Sequence, residues 1–210
     1  INQRFLFVQM YETLKTSSGW KVLFIGFGYC AQYLYHRLKK ANKFSTFYAT
    51  SRDSQKLKTP SDIEIIDVKN YRMIPLSLLQ EITHILISTP PDNSQDYFYQ
   101  QHSFILPKLE SLQWLGYLSS TSVYGDHQGQ WVFETSVCKP QTTQGRDRLK
   151  IEDYYLRAFY NFQTPTHILR LSGIYGPGRS AFDQLKKPPV VRINAPGNRF
   201  SRIHVEDIGL

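Results

Sequence analysis

The sequence predicts an α/β protein: a doubly wound parallel sheet over residues 19–175, followed by the start of a smaller C-terminal lobe over 176–210. Three observations predict it. Short apolar runs alternate with longer segments of helical period. A glycine-rich turn joins the first run to the first such segment. The alternation stops after residue 175, where Gly and Pro become dense (Gly176-Pro177-Gly178, Pro188-Pro189, Pro196-Gly197). A length of 210 residues holds one domain or a domain and a fraction, enough to bury a core without covalent staples. A hydrophobic fraction of 41% with 20% charged residues excludes a disordered or collagen-like chain.

Residues 1–18 read as an N-terminal extension. Arg4 is followed by Phe5-Leu6-Phe7-Val8, a run too short for a signal-peptide core, and no small-residue cleavage site follows. With only Cys30 and Cys138, the chain builds no disulfide framework, and cytoplasmic localisation is expected. The start at Ile1 and the stop at Leu210 read as those of a fragment. The strands are expected at Val22–Ile25, Thr46–Thr50, Ile63–Ile66, His84–Ser88, Leu115–Ser119 and His167–Leu171. Several are apolar on both faces, as strands covered by helices on each side must be. Between them, Ala31, Leu34, Tyr35 and Leu38 give helical spacing over 29–41. Tyr97, Phe98, Phe104, Ile105 and Leu109 do so over 94–112, with Pro107 kinking or ending the helix. Leu149, Ile151, Tyr155, Leu156 and Phe159 do so over 145–161.

The turn Gly26-Phe27-Gly28-Tyr29-Cys30-Ala31 follows a buried strand and opens an amphipathic helix. In that setting GxGxx(G/A) is the phosphate-binding turn of a Rossmann-type domain. Gly26 permits the tight turn, Gly28 lets backbone approach a pyrophosphate, and Ala31 lets the helix pack closely, with its N-terminus facing the phosphates. The alternative is an ordinary strand-to-helix turn. The second strand ends Thr50-Ser51-Arg52 rather than in an acid. A hydroxyl and a guanidinium suit a 2′-phosphate, so the expected cofactor is NADP, with NAD possible if Asp53 rather than Arg52 points inward. Asp67 closes the third strand and either meets the adenine or caps a turn. Ser88 opens the stiff Thr89-Pro90-Pro91 loop at the carboxyl edge of the fourth strand, where ligands sit.

Leu118-Ser119-Ser120-Thr121-Ser122-Val123-Tyr124-Gly125 resembles the SS-x-x-VYG stretch of the extended short-chain dehydrogenase/reductases, the NAD-dependent epimerase/dehydratase group. Arg170 to Gly178 resembles that group's R-x-x-x-x-YGPG, and Ile203-His204-Val205-Glu206-Asp207 its I-H-V-x-D. The shorter glycine loop is similar to that of the atypical subgroup, which includes bacterial proteins of the YeeZ kind. The resemblance covers residues 20–210. It implies a Rossmann cofactor domain and hydride transfer on a hydroxyl or carbonyl of a small substrate, nucleotide-linked substrates being one class. It also implies that Ser120 hydrogen-bonds the reacting oxygen.

The group's Tyr-x-x-x-Lys is absent at the matching positions. With Glu152 on the group's Glu, Arg148 stands on the Lys and Gln144 on the Tyr. Gln exchanges no proton near neutral pH, and Arg holds charge and ribose but does not deprotonate. Tyr124 is the first substitute acid/base, ahead of Tyr154 and Tyr155, although packing is the commoner role for that residue. The expected cofactor contacts are Gly26, Phe27, Gly28, Tyr29, Ser51, Arg52, Asp67, Ser88 and Arg148. A non-catalytic NADP(H)-binding sensor or scaffold is the alternative that the missing pair supports.

By the same resemblance, Arg170, Tyr175, His204 and Asp207 serve as scaffold around the cleft. Arg179, Arg199 and Arg202 fall in the expected substrate lobe and are candidate phosphate contacts, or simply exposed charges. Cys30 is expected to pack, and the His residues show no metal-ligand spacing, so no metal is expected. The net charge of +8 is spread over short basic pairs such as Lys39-Lys40 and Lys186-Lys187. No element carries a basic stripe, so the expected partner is a small anionic molecule rather than nucleic acid. No apolar run reaches the ~20 residues of a membrane span.

Overall fold

A computed structural model describes residues 19–41, 45–53, 59–92, 94–186 and 199–209. The 1–18 extension and the Pro- and Gly-dense stretch 187–198 lie outside the described residues. The strands are β1 (Lys21–Ile25), β2 (Thr46–Ser51), β3 (Ile63–Asp67), β4 (His84–Ile87), β5 (Trp114–Ser120) and β6 (Thr166–Leu171). They form one six-stranded sheet in the order β3-β2-β1-β4-β5-β6, with every pairing parallel. That is the doubly wound order, in which the direction of winding reverses between β1 and β4. The crossover helices are α1 (Tyr29–Ala41), α2 (Leu76–Glu81), α3 (Tyr97–His102) and α4 (Thr143–Phe162).

Successive side chains of a strand point to opposite faces, so a sheet covered on both sides needs two apolar sets. Val22 and Phe24 of β1 join Phe47, Ala49 and Leu86 against Ala31 and Tyr35 of α1. Leu23 and Ile25 join Ile85, Ile87, Leu115 and Tyr117 against Phe98 of α3 and Ile151, Tyr155 and Ala158 of α4. The ends of α4 are set locally. Thr142 accepts from the backbone N–H of Gly145 at 3.0 Å, an N-cap. Gln163 takes the left-handed conformation (φ 57°) and returns its N–H to Ala158 and Phe159 carbonyls.

The helix expected over 94–112 is shorter. Asp96 caps it by accepting from Tyr99 N at 2.7 Å, and it ends at His102. Pro107 has no N–H to return to the carbonyl of Ser103, so the chain resumes only as a single 3₁₀ turn over Leu106–Lys108. The irregular path swings Ile105, Leu106 and Leu109 into the core.

Beyond the sheet, β7 (Gly173–Tyr175) pairs in parallel with β8 (Arg202–His204), and α5 spans Ala181–Leu185. Val205 N donates to Tyr175 O at 2.9 Å. A 3₁₀ turn over Asp207–Gly209 returns to α1, where Gly209 sits against the side chains of Leu34 and Arg37. Residues on the two sides of position 176 are thus tied together by strand pairing. Among the described residues no helix is long and apolar enough to cross a membrane.

Candidate functional site

The carboxyl ends of β1, β2 and β4 meet at the glycine turn. Gly26 takes φ +80°, and a Cβ there would lie 2.7 Å from Thr89 Cγ2, so both conformation and space demand glycine. Its N–H donates to Thr50 Oγ1 at 2.9 Å. Ser88 Oγ reaches the carbonyls of Ile25 (3.2 Å) and Gly26 (3.1 Å). Gly28 is different. It is exposed, its φ is not positive, and a Cβ there would meet nothing within 4 Å. Among the described residues nothing requires a glycine at that position, and bare backbone there leaves room for a group to approach closely. The first turn of α1 carries no acidic side chain to occupy its positive end. These features fit a dinucleotide pyrophosphate.

A cleft of about 350 Å³ opens beside this turn. Gly26, Phe27 and Gly28 form its floor, with Thr50, Ser51 and Arg52 from the end of β2 and Val68 after β3. The opposite wall is Thr89, Pro90, Asp92 and Gln95, continued by Tyr97 and Gln100 of α3. Five of the nine expected cofactor contacts therefore line it: Gly26, Phe27, Gly28, Ser51 and Arg52. The other four lie outside that lining. Asp67 accepts from Lys69 N at 2.7 Å and caps a turn, and its neighbour Val68 faces the cleft instead. Ser88 is taken up by the glycine turn. Tyr29 donates from its hydroxyl to Pro177 O at 3.1 Å, with the Arg179 guanidinium 5.5 Å from its ring centre. Arg148 donates to the carbonyl of Leu118 at 2.8 Å.

Arg52 Nη1 lies 3.4 Å from Asp92 Oδ2, an exposed ion pair between opposite walls of the cleft. Thr89 Oγ1 is buried and has no hydrogen-bond partner among the described residues. Of the wall residues, the Thr89-Pro90 loop was legible as a border of the ligand edge. Asp92, Gln95, Tyr97 and Gln100 carry no local motif; only the crossover that brings α3 beneath the strand ends assembles them.

The end of β5 carries the second set of expected residues. Ser120 is half-buried, and its Oγ accepts from Ser122 N at 3.2 Å, capping the 3₁₀ turn Thr121–Val123. A Cβ on Gly145 would stand 2.6 Å from Ser122 O, so glycine lets the start of α4 press onto this turn. That contact puts Gln144, which is exposed, and Arg148, one turn further on, beside the end of β5. Tyr124 is 6% exposed, and its hydroxyl accepts from Arg170 Nη1 at 3.1 Å with the guanidinium over its ring. Arg170 also grips Glu152 through Nε and Nη2, while Ser119 Oγ donates to the same carboxylate. Burial alone would lower the Arg170 pKa, but the hydrogen bonds to Glu152 and Tyr124 outweigh it and raise it. Tyr154 stacks on Tyr99 with ring centres 4.9 Å apart. Tyr155 is fully buried and donates to Asp96 at 2.6 Å.

The three expected substrate arginines each meet a different neighbour. Arg179 covers Tyr29, Arg199 packs beside Gly129, and Arg202 lies beside Gly173; all three are exposed. Among the described residues no three His, Cys, Asp or Glu side chains come together as a metal-binding group.

No protein-family model matches the chain. Over 64 residues it is 47% identical to Protein YeeZ of Escherichia coli K12, a match that covers 30% of this chain and 22% of YeeZ. A functionally unknown conserved protein from Silicibacter pomeroyi superposes with a TM-score of 0.77 at 38% identity, over 90% of this chain and 65% of that one. The chain therefore spans less than two thirds of the length of these relatives. UDP-glucuronic acid 4-epimerase from Bacillus cereus, solved in complex with UDP-glucuronic acid and NAD, superposes with a TM-score of 0.67 at 22% identity, over 90% of this chain and 70% of that one. The chain has the fold of the NAD-dependent epimerases and dehydratases. At 22% identity the likeness to the epimerase is one of fold alone, and what the site does rests on this chain's own residues.

Proposed function

We propose that the chain binds a nicotinamide dinucleotide, NADP in preference to NAD, and acts as an oxidoreductase- or epimerase-like protein. Its substrate would be a small anionic molecule carrying a hydroxyl or carbonyl, nucleotide-linked molecules included. The observation that carries the reading is Gly28, whose missing Cβ serves no contact among the described residues and leaves bare backbone beside a cleft at the strand ends. Arg52 lining the cleft supports NADP, because a guanidinium forks onto phosphate oxygens. When bound, the nicotinamide ring supplies hydride donation or acceptance. The chain's part is to seat the pyrophosphate on the glycine turn and to hold the ribose near Arg148. Ser120 would donate its hydroxyl hydrogen bond to the reacting oxygen of the substrate. Of the three arginines we keep Arg179, beside Tyr29, as a phosphate contact.

A second reading, a sensor or scaffold that binds NADP(H) without turnover, is favoured by one observation. Gln144 stands exposed at the matching Tyr position, while the Tyr124 and Tyr155 hydroxyls are held by Arg170 and Asp96. A screen of alcohols, ketones and nucleotide sugars with NADP(H), followed by absorbance of the reduced nicotinamide, separates the two. Turnover that Ser120→Ala abolishes supports the enzyme. Tight NADPH binding with no turnover on any substrate supports the sensor. Absence of NADPH binding overturns both.

A further inference from the structure

Building on the dinucleotide reading, we propose that Asp92 is a specificity-determining residue: its carboxylate opposes the 2′-phosphate for which Arg52 is placed. Asp92 Oδ2 lies 3.4 Å from Arg52 Nη1, and both residues line the cleft. Arg52 follows directly on the end of β2, the ribose end of a doubly wound site. Asp92 sits in a turn whose backbone is tied down. Asp92 and Gln95 exchange backbone hydrogen bonds in both directions at 2.9 Å. Ser94 in the same turn hydrogen-bonds Asp147 of α4, and Pro90-Pro91 stiffen the approach. Arg52 is a long, exposed side chain at the rim.

An exposed pair of this kind is weak, so the guanidinium can leave it for a phosphate. The turn holds the backbone of Asp92 in place, so its carboxylate is placed within Coulomb reach of whatever Arg52 then binds. A 2′-phosphate carrying about −1.5 to −2 charges is repelled there, whereas a ribose hydroxyl is not. Asp92 therefore moderates a preference that Arg52 creates.

The test titrates NADP⁺ and NAD⁺, which differ only by the 2′-phosphate, into the whole chain and into its Asp92→Asn and Asp92→Glu variants. Asp92→Asn is expected to tighten NADP⁺ binding roughly three- to tenfold and to leave NAD⁺ within about twofold; Asp92→Glu keeps the original ratio, and the gain shrinks as salt is added. Unchanged or weaker NADP⁺ binding in Asp92→Asn, with NAD⁺ still bound, overturns the inference alone. Loss of NAD⁺ binding at an unchanged melting temperature also overturns it, since Asp92 would then serve the ribose. If the original chain binds neither nucleotide, the dinucleotide reading falls and takes this inference with it.

Discussion

Glu152 of α4 and Arg170 of β6 face each other through three hydrogen bonds, the shortest 2.7 Å, with the carboxylate side chain 1% exposed. Ser119 of β5 donates to the same carboxylate, and Tyr124 accepts from the remaining guanidinium nitrogen. The cluster locks the helix carrying Arg148 to the strand end carrying Ser120. Removing one partner of a buried pair strands the other charge, which costs about 3–5 kcal/mol. Glu152→Ala is therefore expected to lower the free energy of unfolding in urea by that order, and a loss under about 1 kcal/mol would contradict this role.

The two glycines of the turn should separate stability from binding. Gly26→Ala meets Thr89 and a left-handed backbone, so it should destabilise the fold by about 1–3 kcal/mol. Gly28→Ala meets nothing, so its melting temperature should stay unchanged while NADPH affinity falls roughly tenfold or more. Calorimetric melting and NADPH titration on the pair check this. Equal nucleotide affinity in Gly28→Ala and the parent would show that no phosphate approaches there.

Acid should weaken the fold through buried imidazoles. Burial lowers His84 to about 4, and it also lowers His102 and His167. His102 accepts from Ile74 N at 3.0 Å, which requires a neutral ring with its proton on Nδ1, facing Phe98 O. A folded value below the unfolded one means that the unfolded chain takes up the proton first. Stability is then full above about 6.5 and falls as pH drops towards 4, by up to about 3 kcal/mol from His84. Asp96 works the other way: burial raises its carboxyl, so its contribution is present at low pH and lost as pH rises through its folded value. Urea midpoints between pH 4 and 7 for the chain and its His84→Gln variant separate the two, and an equal change with pH in both would contradict the histidine assignment.

The sheet was legible because β1, β4 and β5 are short runs, apolar on both faces and bounded by polar segments, as parallel strands covered by helices on each side must be. The glycine turn was legible because Gly26 and Gly28 answer to backbone geometry and open space, which leave a mark on sequence. β7 and β8 were not, since three-residue strands with half-exposed faces carry no period. The far wall of the cleft was hidden by its dependence on topology. Asp92 and Gln95 sit in a turn, and Tyr97 and Gln100 on a short helix; the strand order alone sets them opposite Arg52. Arg179, Arg199 and Arg202 looked like one group on the chain because sequence proximity after residue 175 says nothing of which neighbour each one meets.

The most direct test is calorimetric titration of NADPH and NADH, separately, into the chain. Both are expected to bind, NADPH the more tightly, and Arg52→Gln is expected to remove the difference. Binding of neither would contradict the dinucleotide site itself, and equal affinity or a preference for NADH would contradict the role given to Arg52.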